Sequence, residues 1–387
     1  MAAVAAVALL LVTSPLHAAT ETWTGATNAN WSVAANWTGT NTPPIANDSL
    51  IFDGNLNTLT NDDLAANTQF NGITFASTAG AFTLGGNAVT LGGNVTNNAS
   101  NVETISLGLR FSAARTLAGG ATAASELLIS GPITDTNTAA AAQALTLNGF
   151  GVLSGVQSTG ASAATPFGII YTEGAGGNWS LVGNNTYTIG NASFNILSGG
   201  IFSFGSATDA PNVTVKAGTG TDNTIGNTTG TSVFNMVNGS LILPVRMNTV
   251  TGTINVSGGN LQIWNQFQND NGALTNVGTI NVSNGTFDIR NTTGSATTGG
   301  TLFIASRGTG VLNVSGGNVI CGTLDVSRDI TNGTNGTVNL NGGILTVSGV
   351  STATANSVGT NTLSLGTFNF NGGTLKARGA SATFITH

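Results

Sequence analysis

Histidine and cysteine are scarce in this chain, which excludes several kinds of active site. Its 387 residues include two histidines and one cysteine. His17 lies near the start, His387 is the last residue, and Cys321 is the single cysteine. Catalysis by a Ser-His-Asp or Cys-His set, a His-rich metal site and an intramolecular disulfide are therefore not expected. Cys321 follows an apolar segment, and we expect it to be a small buried hydrophobic residue.

Charged residues are also few, and their balance is acidic. They make up 6% of the chain, against about 25% in ordinary domains. Nine Lys and Arg against fifteen Asp and Glu give a net charge of -6, and no stretch is basic, so a nucleic-acid partner is not expected. The 40% hydrophobic content argues against disorder, and 55 glycines argue against coiled coils. With these classes excluded, the composition indicates an all-β chain of many short strands.

A short apolar run at the start of the chain is typical of an export signal. Residues 4–12 are apolar, Ser14-Pro15 follow, and Ala18 offers a small residue for cleavage. We predict a signal peptide over residues 1–18 and an exported chain that begins at Ala19, and cleavage after Ala19 is the alternative. No basic residue precedes the apolar run, which departs from the usual pattern. No later segment approaches eighteen uninterrupted apolar residues, so no transmembrane helix is expected in the mature chain.

The second half of the chain repeats a short motif. In each copy an Asn lies between apolar residues and a Gly-Gly or Asn-Gly step follows, as in Gly252-Thr-Ile-Asn255-Val-Ser-Gly-Gly259. The copies lie about 29 residues apart on average, within the range of solenoid repeats. The aligned residues are Asn195, Asn235, Asn255, Asn281, Asn313, Asn339 and Asn369.

This repeat predicts the fold. Period-2 alternation points the apolar residues to one face and the Asn to the other, and the Gly step supplies a tight turn. One unit is too short to bury its own apolar face, but stacked units bury a continuous core. We predict an all-β fold, a right-handed parallel β-helix or β-solenoid, with the Asn side chains stacked as amide ladders. An antiparallel β-sandwich is the alternative, because the repeat does not fix strand direction.

Composition divides the chain into four predicted parts. Residues 1–18 are the signal peptide, and residues 19–110 form a Trp-rich cap with the first β-strand repeats. Residues 111–190 are a less regular Ala- and Gly-rich solenoid segment, and residues 191–387 are the regular repeats. The tryptophans of the second part have two interpretations: they plug the open end of the solenoid, or they bind sugar rings. These residues are Trp23, Trp31 and Trp37.

The start of the mature chain and its late repeats resemble one bacterial family. The pattern Trp23-Thr-Gly25, Trp31, Asn36-Trp37, Pro44, Asp48, Phe52 is similar to the N-terminal pattern of proteins with autotransporter-associated β-strand repeats. The unit Asn339-Leu-Asn-Gly-Gly343 fits the same repeats. The resemblance implies an exported β-helical protein, comparable to an autotransporter passenger and associated with the bacterial outer membrane, the cell surface or the medium.

Few residues are candidates for chemistry. Parallel β-helices include polysaccharide lyases and hydrolases, and hydrolysis needs two carboxylates across a cleft. We expect Asp62-Asp63 to be a solvated turn. Arg307 and Arg328 become neighbours if their strands stack, with Asp325 and Asp329 as partners; they form a surface ion cluster or contact an anion.

We therefore predict a structural or adhesive surface solenoid without catalysis, cofactor or metal. Its expected partners are cell-surface glycans or other surface proteins. A carbohydrate-binding module that uses the three tryptophans is the alternative, and a polysaccharide lyase or hydrolase is the second alternative. An acidic cleft would distinguish the enzyme from the other two.

Overall fold

The structure is a computed structural model in which the chain forms an all-β solenoid. The predicted signal peptide lies outside the described residues as far as residue 16. The structure describes residues 17–137, 143–159, 169–173, 176–189, 193–197, 199–215, 222–226, 230–244, 246–269, 275–295, 297, 299–328, 333–351, 365–380 and 384–386.

The strands are short, and two single-turn 3-10 helices, Ala34–Asn36 and Ala123–Ser125, accompany them. The strands of the first half are β1 (Thr20–Trp23), β2 (Trp37–Thr38), β3 (Ser49–Phe52), β4 (Leu59–Asp62), β5 (Thr68–Phe70), β6 (Gly72–Phe75), β7 (Thr83–Gly86), β8 (Val89–Leu91), β9 (Val95–Asn97), β10 (Glu103–Ile105), β11 (Leu109–Phe111), β12 (Arg115–Ala118), β13 (Leu127–Ile129), β14 (Ile133–Asp135), β15 (Gln143–Asn148), β16 (Phe150–Leu153), β17 (Gln157–Thr159), β18 (Ile169–Glu173), β19 (Asn178–Leu181) and β20 (Thr186–Ile189). Those of the second half are β21 (Ser193–Ile196), β22 (Ile201–Phe204), β23 (Asn212–Val215), β24 (Asn223–Ile225), β25 (Ser232–Met236), β26 (Ser240–Leu243), β27 (Met247–Thr249), β28 (Gly252–Val256), β29 (Asn260–Trp264), β30 (Gln266–Gln268), β31 (Val277–Val282), β32 (Thr286–Arg290), β33 (Thr301–Phe303), β34 (Thr309–Val314), β35 (Asn318–Ile320), β36 (Thr323–Asp325), β37 (Asn335–Leu340), β38 (Ile344–Val347), β39 (Gly349–Ser351), β40 (Leu365–Phe370), β41 (Thr374–Ala377) and β42 (Ile385–Thr386).

Successive strands take turns on three sides of the solenoid. Within the described residues, the first side is a sixteen-stranded sheet that contains β1, β2, β3 and then every third strand to β42. The second side is a thirteen-stranded sheet from β4 to β40. The third side consists of a five-stranded sheet, β5 to β17, and an eight-stranded sheet, β20 to β41. Neighbouring strands in each sheet pair in parallel, and β1 with β2 is the antiparallel exception among them. The predicted β-solenoid is confirmed, and the antiparallel sandwich is excluded.

Alternation along each strand builds the core. In β28, Ile254 and Val256 are fully buried, whereas Thr253 and Asn255 face outward and are half-buried. The same pattern recurs in β31, β34 and β37. Each coil therefore adds a layer of buried aliphatic side chains to those of its neighbours, which is the favourable term that stabilises stacking.

The predicted amide ladder is present on the second side. From Asn255 onward, each ladder Asn donates from Nδ2 to the Oδ1 of the Asn one coil earlier, at 2.8–2.9 Å. The strand registers pair the same residues backbone to backbone. Amide stacking of this kind needs in-register parallel strands, so the repeat specifies register as well as fold. The ladder residues are Asn235, Asn255, Asn281, Asn313, Asn339 and Asn369.

The prediction that Asn195 belongs to the ladder is wrong. Asn195 lies in β21 on the first side and pairs with Thr224. Ser203 of β22 occupies the ladder position instead and accepts a 3.1 Å hydrogen bond from Asn235 Nδ2. The physical reason is that an apolar-Asn-apolar strand fits any side of the solenoid, and the length of chain between turns decides which side it joins.

Glycine closes the turn after each ladder strand. Gly285 has φ +71°, and a Cβ there would lie 2.5 Å from the backbone carbon of Gly258 in the coil below. Gly317 has φ +63° and meets the backbone of Asn284 in the same way. The second residue of the Gly-Gly or Asn-Gly step must therefore be glycine for two reasons: its backbone is in the left-handed region, and successive turns approach too closely for a Cβ.

Candidate functional site

Three tryptophans and one phenylalanine close the N-terminal end of the solenoid, and we call this group the aromatic cap. Its members are Trp23 of β1, Trp31, Trp37 of β2 and Phe52 of β3. Trp31 is 0% exposed, and its ring centroid lies 5.4 Å from that of Phe52 and 6.0 Å from that of Trp37. Trp23 and Trp37 meet edge to face at 5.0 Å. The rings cover the first coil of the core, which supports the cap interpretation.

The polar ends of two of these indoles are turned toward the backbone. Trp37 Nε1 donates to the carbonyl of Trp31 at 2.8 Å, and Trp23 Nε1 donates to the carbonyl of Leu56 at 3.3 Å. A sugar platform needs an indole face open to solvent, yet Trp23 and Trp37 are 1% and 4% exposed. The three tryptophans therefore offer no such face in this structure.

Asp62 and Asp63 lie in different environments, so the prediction that both are solvated is wrong for Asp62. Asp62 ends β4 with its side chain inward and 1% exposed. Burial raises its pKa to about 6, against the opposing effect of a hydrogen bond from the backbone of Leu64. Asp63 is exposed and accepts hydrogen bonds from the backbone and hydroxyl of Ser32 at 2.8 and 2.6 Å.

A second buried carboxylate, Glu103, begins β10 on the same side of the solenoid. It is 0% exposed, its Oε2 accepts a 2.7 Å bond from the backbone of Phe82, and burial raises its pKa to about 8. The registers of β4, β7 and β10 align Glu103 with Thr58, four positions before Asp62. Four positions correspond to roughly 13 Å along a strand. Paired carboxylates of glycoside hydrolases lie about 5–9.5 Å apart, so these two do not form such a pair.

Arg307 and Arg328 are both exposed, and stacking does not align them. The ladder between β33 and β36 pairs Thr301 with Thr323, and in that register Arg328 lies beside Ser306. The guanidinium of Arg328 lies 4.5 Å above the ring of Phe303. Asp325 is buried, and Asp329 lies outside the described residues. Two ion pairs of the described residues, Arg246–Asp222 and Arg290–Asp288, lie outside this segment.

The outer face of the second side from β25 to β40 is the most regular surface, and we call it the ladder face. Three ranks of outward residues run parallel to the solenoid axis, about 4.8 Å apart from coil to coil and about 6.7 Å apart from rank to rank. The central rank is the Asn ladder. The rank before it is Val233, Thr253, Thr279, Val311, Thr337 and Thr367, and the rank after it is Val237, Ser257, Ser283, Ser315, Asn341 and Asn371.

The ladder face carries no charge in these ranks and exposes short polar groups. The Thr and Asn ranks are half-buried, and Ser257, Ser283 and Ser315 are exposed. Each ladder Asn from Asn255 to Asn339 uses one amide hydrogen and one lone pair within the ladder, which leaves a second hydrogen and a second lone pair for a partner. Sequence reasoning identified the Asn rank but not the flanking ranks, although Thr stands two residues before most of the ladder Asn residues.

The described residues provide neither a metal site nor an accessible thiol. In the part of the chain that the structure describes, no three His, Cys, Asp or Glu side chains are placed to hold a metal ion. Cys321 is buried as predicted, and burial raises the pKa of its thiol to about 12. No helix within the described ranges is long and apolar enough to cross a membrane.

Comparison with known proteins adds no relative. No family model matches the chain, and no curated protein or solved structure matches it significantly. The resemblance to autotransporter-associated repeats therefore stays a prediction.

Proposed function

We propose that the protein is an exported β-solenoid of the bacterial surface with a structural or adhesive role, comparable to an autotransporter passenger and without catalysis. The observation that carries this proposal is the ladder face, a long uncharged surface with hydroxyl and amide groups in straight ranks. The resemblance to autotransporter-associated repeats and the predicted signal peptide support export.

The chemistry of the ladder face favours a neutral polymer rich in hydroxyl groups. A charged partner would require complementary charge, and none stands in the three ranks. Hydroxyl and amide groups at a fixed repeat can bond a partner that also repeats, so many weak contacts add along its length. We therefore propose a surface glycan as the partner and the ladder face as the contact.

Retention on insoluble polysaccharides tests this proposal. The double variant Thr279→Arg and Thr337→Arg places two long charged side chains on the ladder face without touching the core. The matched control, Thr286→Arg and Thr374→Arg, makes the same changes on the outer face of the third side. The probes are particles of cellulose, chitin and β-1,3-glucan, sedimented with each protein.

We expect the unaltered protein and the control to be retained on at least one type of particle. The ladder-face variant should bind that particle at least about tenfold more weakly, because two arginines prevent flat contact. Equal retention of both variants, or no retention of the unaltered protein on any particle, would contradict a glycan-binding ladder face.

A further inference from the structure

The backbone nitrogen of Ala19 lies against a buried carboxylate. Asp48 is 0% exposed, and its Oδ1 accepts hydrogen bonds from Ala19 N and from Asn41 Nδ2, both at 2.8 Å. Its Oδ2 accepts a 2.8 Å bond from the backbone of Ile45. The parallel pairing of β1 with β3 fixes this contact, since Ser49 N also donates to the carbonyl of Ala19 at 2.8 Å.

A second buried carboxylate lies near Asp48, and among the described residues no ion pair joins Asp48 to a Lys or Arg side chain. Glu21 is 0% exposed too, and its Oε1 accepts a 2.7 Å bond from the backbone of Asn41, so Asn41 connects the two carboxylates. Residues 1–109 contain no Lys and no Arg. Buried ionised carboxylates are costly without a positive partner. In this region an α-amino group is the cation that the chain itself can supply.

We propose that cleavage between Ala18 and Ala19 creates that cation, an α-ammonium group that pairs with Asp48 and fastens the N-terminal end of the solenoid. The step is hydrolysis by a peptidase. Water supplies a hydroxyl group to the carbonyl carbon of Ala18 and a hydrogen to the nitrogen of Ala19, and the new amine takes up a further proton at neutral pH.

Little has to move for this pairing to form. The nitrogen already lies at hydrogen-bond distance from Oδ1, and protonation converts an amide donor into a charged donor, which makes a stronger bond. His17 and Ala18 are exposed, and their loss removes one described bond, from Asn41 Nδ2 to the carbonyl of His17 at 2.9 Å. The inference rests on the proposed export, because export supplies the cleavage.

Two chains that differ by one residue test the pairing directly. One begins at Ala19 and the other at Ala18, and both are made with an initiating Met that is removed, so each has a free alanine amine. The extra residue displaces the amine by about 3.8 Å along the chain. The measurement is hydrogen exchange of the backbone amides of Ile45 and Asn41, with and without Asp48→Asn.

We expect these amides to exchange about tenfold more slowly in the chain that begins at Ala19. The difference should disappear when both chains carry Asp48→Asn. Equal exchange in the two unsubstituted chains, or a difference that persists after the Asp48→Asn substitution, would overturn the pairing. N-terminal sequencing of exported protein tests the proposed cleavage separately. A first residue other than Ala19 would overturn the cleavage step, whereas the exchange experiment tests the pairing of the amine with Asp48.

Discussion

The two ends of the described solenoid are stabilised in different ways. From β1 to β11 the core is rich in aromatic rings, and the hydrogen bonds of the buried polar side chains differ from one coil to the next. From β25 to β40 the core is mostly aliphatic, and one amide bond repeats from coil to coil. Large single contributions thus stabilise the first region, whereas many small and equal ones stabilise the second.

The distribution of charged residues also differs between these two regions. Residues 1–109 hold six acidic residues and no Lys or Arg, and four of the acids are buried: Glu21, Asp48, Asp62 and Glu103. The ladder face has no charge in its ranks. The comparison indicates that the irregular first region depends on specific side chains, whereas the repeated second region depends on correct register.

The largest effect should come from the aromatic cap. Trp31→Ala removes a fully buried indole that contacts Trp37, Phe52 and Phe70, and we expect it to lower the free energy of unfolding of this region by about 3–5 kcal/mol. Denaturant unfolding followed by tryptophan fluorescence measures the change. Trp264→Ala, at a half-buried position, is the matched control and should cost less than half as much. Equal costs for the two variants would contradict the cap interpretation.

Next in size is the pH dependence that Glu103 introduces. Because burial raises its pKa from 4.5 to about 8, the folded chain binds more protons than the unfolded chain between these values. The contribution of Glu103 to the free energy of unfolding is therefore fully present below about pH 4.5 and is lost as the pH rises through 8, by up to about 5 kcal/mol.

Glu103→Gln should flatten that slope, and thermal unfolding from pH 4 to pH 9 measures it. The control is Glu126→Gln, because Glu126 is half-buried and burial raises its pKa less. Burial also raises the pKa of Asp62, to about 6, so the decisive range lies above pH 6. A slope between pH 6 and pH 9 that survives in the Glu103 variant would show that another group is responsible.

The smallest effect should come from one step of the ladder. Asn281→Ala removes two amide bonds of 2.9 Å, to Asn255 and Asn313, and we expect a cost of about 1–2 kcal/mol. Thr279→Ala, two residues earlier on the same face, makes no ladder bond and should cost under about 0.5 kcal/mol. Chemical denaturation of both variants checks this, and equal costs would mean that the ladder adds nothing beyond side-chain packing.

The parts of the fold that sequence could predict are those determined locally. Alternation around Asn281 and the Gly-Gly or Asn-Gly step repeat within ten residues, so strand, turn and ladder all followed from them. The side occupied by Asn195 could not be predicted, because it depends on loop length between coils.

Asp62 shows a second limit of prediction from sequence. In β4 the apolar Leu59 faces solvent, 72% exposed, whereas Thr60 and Asp62 face inward. The reason is register: Thr60 pairs with the buried Leu84 of the next coil, and that pairing overrides the hydrophobic pattern of β4 itself. The flanking ranks of the ladder face escaped prediction for another reason: Thr recurs two residues before most ladder Asn residues, but this recurrence defines a surface only when the strands are stacked in register.

Hydrogen exchange of the Trp31→Ala variant, strand by strand, tests most directly whether the two regions are stabilised separately. Coils of a solenoid contact only their neighbours, so a defect at the cap should fade along the axis. We expect faster exchange from β1 to about β9 and unchanged exchange from β28 to β40. An equal acceleration in the ladder strands would show one cooperative unit and contradict separate stabilisation of the two regions.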